Sequence, residues 1–251
     1  MHITSRRLIL AILFIFCLSF QASAWNPMVV VSGTSSSIGC AYSDNFTGTS
    51  GAPNAALWGE TDTGGGNQMK ILSNKLNFDS LSTTADCLGA IESQWYWSVG
   101  DNFDITVEFD SVVIAQPDDA SSNVAVQISV YPGSGTGWTE YCGIGRARNA
   151  TYDGYAIKGT SDSETYDETY QDTSGKLRIQ KVGSTIKAWY WDSVDGRWEW
   201  NTSTDGFTFT DAATENIHVY INWRHRATSA ATTVSGNADN FEVVSGCSDI
   251  N

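Results

Sequence analysis

Residues 175–200 read GKLRIQKVGSTIKAWYWDSVDGRWEW. Leu177 and Ile179 alternate with Arg178 and Gln180. Ile186, Ala188 and Tyr190 alternate with Lys187, Trp189 and Trp191, and Trp198 and Trp200 alternate with Arg197 and Glu199. A period of two sends successive side chains to opposite faces of a strand. Val182-Gly183-Ser184 and Asp195-Gly196 interrupt the pattern with turn residues, so the stretch predicts three antiparallel strands joined by two tight turns. One face is apolar and belongs to a core. The other carries Arg178, Lys187, Trp189, Trp191, Trp198 and Trp200.

The same alternation recurs outward from this stretch. In residues 101–114, Ile105, Val107 and Phe109 share one face, while Asp104, Thr106, Glu108 and Asp110 share the other. Further short strands are expected around Ser73-Asn74 in residues 69–78, and at 87–96, 124–131, 141–145, 155–158, 207–209, 217–223 and 240–244. Residues 160–174 read as an acidic, tyrosine-bearing loop. No stretch shows helical periodicity with caps. Many short strands, with 23 glycines between and within them, predict an all-β protein, a two-sheet antiparallel jelly-roll sandwich. The tripeptide Asp-Asn-Phe starts at Asp44, Asp101 and Asp239, at unequal spacings that do not make a repeat.

The chain opens with Arg6-Arg7, an apolar run from Leu8 to Phe20 and Ala22-Ser23-Ala24, the pattern of a secretory signal peptide over residues 1–24. Residues 25–39 read as an extended arm that could pair with a neighbour's sheet edge in a homo-oligomer. Residues 40–248 form the sandwich. No later segment is apolar for long enough to span a membrane. Without the signal, twelve basic and 28 acidic side chains leave a charge of about −16. That balance argues against nucleic acid, whose binding rests on cations facing phosphates. Cys40, Cys87, Cys142 and Cys247 remain, an even number that predicts two disulfides in an exported chain. Three connectivities are open, of which Cys40–Cys247 with Cys87–Cys142 is favoured. His218 and His225 are expected to be structural. Asn45, Asn149 and Asn201 fit the glycosylation sequon.

SDNFTGTSGAPNAALW (residues 43–58), GGGNQMKILSNKLNF (64–78) and ADNFEVVSG (238–246) resemble the opening and closing segments of the concanavalin A-like lectin/glucanase superfamily. The first two are similar to the start of family-16 glycoside hydrolases. FDITVEFD (103–110) and the 175–192 hairpin are similar to laminin-G-like members. The resemblance implies two curved sheets with adjacent first and last strands. It also implies a structural calcium, held by Asp239 with oxygens near Asp44 and Asn74, a donor type suited to calcium. The family's catalytic Glu-x-Asp-x-x-Glu strand is not found. Retaining chemistry needs two carboxyls about 5 Å apart. The nearest approximation, Asp104-x-Thr106-x-Glu108-x-Asp110, does not match the motif, so no catalytic residue is assigned.

Trp189, Trp191, Trp198 and Trp200 offer flat faces for the apolar side of a pyranose, with Arg178 and Lys187 as hydrogen-bond donors. Trp95 and Trp97, beside Tyr96, are expected to extend that platform, and Trp138 and Tyr141 to border it. The sequence therefore predicts a secreted or cell-surface, non-catalytic module that binds polysaccharide or glycan and holds calcium. A self-assembling fibre or coat subunit and a divergent glycoside hydrolase are the alternatives.

Overall fold

The computed structural model describes residues 41–60, 69–117, 123–133, 140–159, 164–167, 171–199, 206–209, 216–226 and 228–251. Two antiparallel sheets account for the architecture. The eight-stranded sheet contains β1 (Ser50–Gly51), β3 (Lys70–Leu72), β4 (Lys75–Asp79), β6 (Phe103–Ile114), β11 (Gly175–Val182), β12 (Thr185–Asp192), β13 (Arg197–Glu199) and β15 (Val234–Ser245). Their spatial order is β1-β3-β4-β15-β6-β11-β12-β13. The seven-stranded sheet contains β2 (Trp58–Glu60), β5 (Cys87–Ser93), β7 (Asn123–Pro132), β8 (Cys142–Arg148), β9 (Asp153–Gly159), β10 (Glu164–Asp167) and β14 (Ile217–His225). Its order is β10-β9-β8-β7-β14-β5-β2. The early hairpin β3–β4 lies beside the closing strand β15, and Asp44 exchanges two backbone hydrogen bonds with Phe241.

Turn chemistry sets the hairpins. Ser73 and Asn74 both have positive φ (55° and 61°), as a two-residue β3–β4 turn with the twist of the strands requires. Gly183, at φ 60°, turns β11 into β12. The β12–β13 connection is longer than the sequence suggested. Residues 193–196 form a four-residue loop, and the buried Asp192 organises it by accepting from the amides of Val194 (2.7 Å) and Asp195 (3.1 Å).

The inward alternants of both sheets meet in one core. Ile105, Val107, Phe109, Leu177, Ile179, Ile186, Ala188 and Tyr190 come from the eight-stranded sheet. Ile128, Val130, Ile144, Ile157, Val219, Ile221 and Trp223 come from the other. Tyr155 and Tyr190 stack across the sandwich, 4.1 Å apart and nearly parallel. Trp223 fits because glycine faces it on β5: a Cβ at Gly89 would lie 2.3 Å from the indole nitrogen.

Two expectations need correction. The stretch read as a loop, 160–174, contains β10, paired with β9. The expected Cys87–Cys142 disulfide is not formed, and both cysteines are buried free thiols. Cys87 sits on β5 and Cys142 on β8, with β14 and β7 between them. Three strand spacings separate them by roughly 14 Å, whereas bridged cysteines need Cα atoms within about 7 Å. Burial pushes the Cys142 thiol far above its ordinary pKa, so it is inert. Cys40, the expected partner of Cys247, lies outside the described residues, as do the expected signal peptide and arm.

Candidate functional site

The outer face of β11, β12 and β13 is built as the alternation requires. Leu177, Ile179, Ile186, Ala188 and Tyr190 are buried inward, leaving Arg178, Gln180, Lys187, Trp189, Trp191 and Trp198 half-buried on the other side. Trp191 and Trp198 are register partners and meet edge to face, 5.4 Å between centroids at 76°. Arg178 is the register partner of Trp189. Its guanidinium carbon lies 5.3 Å from the Trp189 ring and 5.6 Å from the Trp198 ring, within cation–π range of both. The fork of Arg178 grips the buried carboxylate of Asp104 on β6 through two hydrogen bonds, and Gln180 Nε2 donates to the same carboxylate at 3.0 Å. A bidentate pair of this kind fixes the plane of the guanidinium. The indoles therefore stand against a held cation.

A groove of about 320 Å³ opens beside this assembly, lined by Thr106, Glu108, Lys176, Arg178, Trp198 and Asn240, with Glu242 and Val244 at its margin. The volume is at the lower end of the usual ligand-pocket range of ~300–1,000 Å³. The acids of β6 that alternate along this face are each engaged. Lys176 forms an ion pair with Glu108, and Asn240 Nδ2 donates to it at 2.7 Å. The hydrogen bond from Lys176 holds the Glu108 carboxyl below its ordinary value, against burial. Burial pushes Asp110 upward, but hydrogen bonds from Lys75, Asn237 and Ser111 outweigh it and hold the group low. Asp239, the register partner of Glu108, moves the opposite way, raised mainly by burial.

The structure sorts the other expected site residues. Lys187 lies on the same outer face, opposite Gln180. Trp200 and Trp138 lie outside the described residues. Trp95 and Trp97 do not extend the platform. Both are buried in the core, where their rings meet 4.9 Å apart, and Trp97 Nε1 donates to the Gly246 carbonyl at 3.1 Å. Tyr141 immediately precedes β8 of the seven-stranded sheet, with Lys158 Nζ 5.9 Å from its ring.

The three residues expected to hold calcium also take part in hydrogen bonds of the chain. Asp44 accepts from the Phe46 amide (2.7 Å) and the Trp58 indole (3.0 Å), one carboxylate oxygen each. Asn74 Oδ1 accepts from the Gly48 amide at 2.9 Å. Asp239 accepts from the Asn240 amide at 2.8 Å. Asp44 and Asn74 act as turn-forming residues. Among the described residues, Asp192, Asp195 and Glu199 bring carboxylate oxygens within 4.8 Å of one another. Arg197 already contacts Asp195 and Glu199, and supplies the counter-charge within the loop.

The sequence reading missed a second polar cluster, on the outer face of the seven-stranded sheet. The Glu92 carboxylate accepts from Tyr131 Oη (2.7 Å) and Tyr220 Oη (3.2 Å). His218 Nδ1 is 3.9 Å from Glu92 and 3.1 Å from the Ser93 carbonyl. Tyr131, Tyr220 and Ala90 are buried as a cluster apart from the main core. An acid in mid-strand, sharing the face of Leu88 and Ala90, was the one local signal. Its partners come from β7 and β14, far along the chain.

Two face-to-face antiparallel sheets, closed by a last strand against the early hairpin, define a jelly-roll sandwich of the concanavalin A-like type. No family model matches the chain, and no curated protein matches it. Solved structures do. Lectin II from Ulex europaeus matches with TM-score 0.52 at 8% identity, over 76% of this chain and 94% of its own. The lectin UEA-II complexed with galactose also matches at 0.52 and 8%, over 78% and 96%. A glycoside hydrolase family protein from Mycobacterium thermorestibile matches at 0.48 and 10%, over 80% and 98%. The likeness is one of fold. No helix of the described residues is long and apolar enough to cross a membrane.

Proposed function

We propose that this protein is a secreted or cell-surface, non-catalytic carbohydrate-binding module whose ligand lies against Trp198 in the groove of the eight-stranded sheet. One observation carries the reading: the half-buried Trp198, edge to face with Trp191, borders a groove of about 320 Å³ and stands against the guanidinium that Asp104 holds. Indoles held this way lose little conformational freedom on binding. The fold, shared with a lectin complexed with galactose, supports the reading. The signal peptide at 1–24, the arm at 25–39 and a Cys40–Cys247 bridge belong to the same proposal. A structural calcium held by Asp239 with oxygens near Asp44 and Asn74 belongs to it as well. A glycan array with the mature protein, run with and without chelator, tests the reading. Binding to at least one glycan family, lost in Trp198→Ala, is expected. No binding to any glycan in either condition would remove it.

A divergent glycoside hydrolase is the second reading, and one observation favours it. Glu108 and Asp239 are cross-strand partners on the outer face, the Glu108 carboxyl held below its ordinary pKa by the hydrogen bond from Lys176 and that of Asp239 raised by burial. Opposed shifts in a carboxylate pair are what a nucleophile and an acid require. The Lys176 pair on Glu108 weighs against it. Reducing-sugar release from laminarin, lost in Glu108→Gln, would establish this reading; no release leaves the binding module.

A further inference from the structure

We infer that the Trp198 groove selects neutral glycans and rejects acidic ones, those carrying uronate or sulfate. The inference rests on the binding reading above and deepens it.

Both cations that line the groove are already neutralised by the chain. Lys176 is paired with Glu108. Arg178 is paired with Asp104, whose carboxylate is almost fully buried. An acidic sugar that drew Arg178 away would leave a buried carboxylate without its partner, a costly arrangement. The Arg178 guanidinium also lies within cation–π distance of Trp189 and Trp198. Each cation in the lining therefore already has a carboxylate partner.

The lining carries an acid in excess. Glu242 is exposed at the margin, opposite Thr106 in the register, and has no ion pair among the described residues. Counting Asp104 with Arg178, three carboxylates face two cations here. The whole chain, at a formal charge of −14, adds to that field. Neutral sugars meet none of these barriers. Their hydroxyls donate to carboxylates as charge-assisted hydrogen bonds, and their apolar faces pack on Trp198. Selection against the wrong ligand by like charge is a standard route to specificity.

Calorimetric titration with length-matched pairs tests this. Galactose, glucose and mannose oligosaccharides would be compared with oligogalacturonides and sulfated oligosaccharides, in buffer of physiological ionic strength. The proteins would be the mature wild type, Glu242→Gln and Trp198→Ala, each checked for folding by circular dichroism. At least one neutral series should bind tenfold or more tightly than every acidic one. Glu242→Gln should narrow that gap threefold or more by strengthening acidic ligands, and Trp198→Ala should abolish binding. Acidic oligosaccharides that bind as tightly as neutral ones, and still require Trp198, would overturn the selectivity while leaving the binding site in place. An absence of binding to either series would overturn the binding reading itself, and this inference with it.

Discussion

The outer faces of the two sheets are both rich in aromatic and acidic residues, yet they are built to opposite ends. On the seven-stranded sheet, Tyr131 and Tyr220 are buried and both hydroxyls end on Glu92. Ser129 Oγ and Asn222 Oδ1 lie buried there with no hydrogen-bond partner among the described residues. On the eight-stranded sheet, Trp189, Trp191 and Trp198 keep part of their surface in water, and the polar groups beside them are paired in the plane of the sheet. Aromatic content does not distinguish the two faces. What distinguishes them is exposure: the tyrosines of one layer are buried with their hydroxyls on a shared acceptor, while the indoles of the other stay half-exposed.

The contrast can be broken by removing one group from each face. Glu92→Ala removes the acceptor that two buried phenols share, and a buried donor that loses its partner costs about 1–3 kcal/mol. A loss of about 3 kcal/mol in urea unfolding is expected, with Glu92→Gln recovering part of it because the amide still accepts. Trp198→Ala removes a half-exposed ring, so its stability loss should stay below about 1.5 kcal/mol. If Glu92→Ala is as mild as Trp198→Ala, the closed layer is not a structural unit.

Acidity sharpens the comparison within the groove itself. Glu108 is held low, so its ionised form stabilises the fold above the ordinary value of 4.5, and that contribution is lost as pH falls through its folded value. Asp239 is held high, so its ionisation is a cost that appears as pH rises through its folded value and is absent well below 3.8. Asp239→Asn should therefore be more stable than wild type at pH 7, by about 0.5 kcal/mol after solvent screening. The gain should fade as pH falls through 3.8. Glu108→Gln should show the reverse sign at pH 7 and no difference in strong acid. Urea unfolding at pH 7 and pH 3 reads both. Equal signs for the two variants would mean the pair is not differentially held.

Much of the fold was legible because period-two alternation depends only on neighbours. The face division of β6, the β11–β12 hairpin and the outward placement of Arg178 and Trp189 all follow from it. Which side of a strand meets the core does not follow locally. Trp95 and Trp97 alternate with Tyr96 as read, but both point inward, a choice made by Trp58 and Phe103, which pack against them. Strand order is equally invisible in a short window, and it alone separates Cys87 from Cys142. The Glu92 cluster joins residues 39 and 128 positions apart, beyond any spacing rule.

Indole N–H resonances offer the most direct test. In a nitrogen–proton correlation spectrum of the mature protein, each tryptophan gives one indole peak, assigned by single Trp→Phe substitutions. On titration with neutral hexose oligosaccharides, the account predicts that the Trp191 and Trp198 peaks move saturably while those of the buried Trp58, Trp95, Trp97 and Trp223 stay in place. Saturable binding that leaves Trp191 and Trp198 unmoved would contradict it.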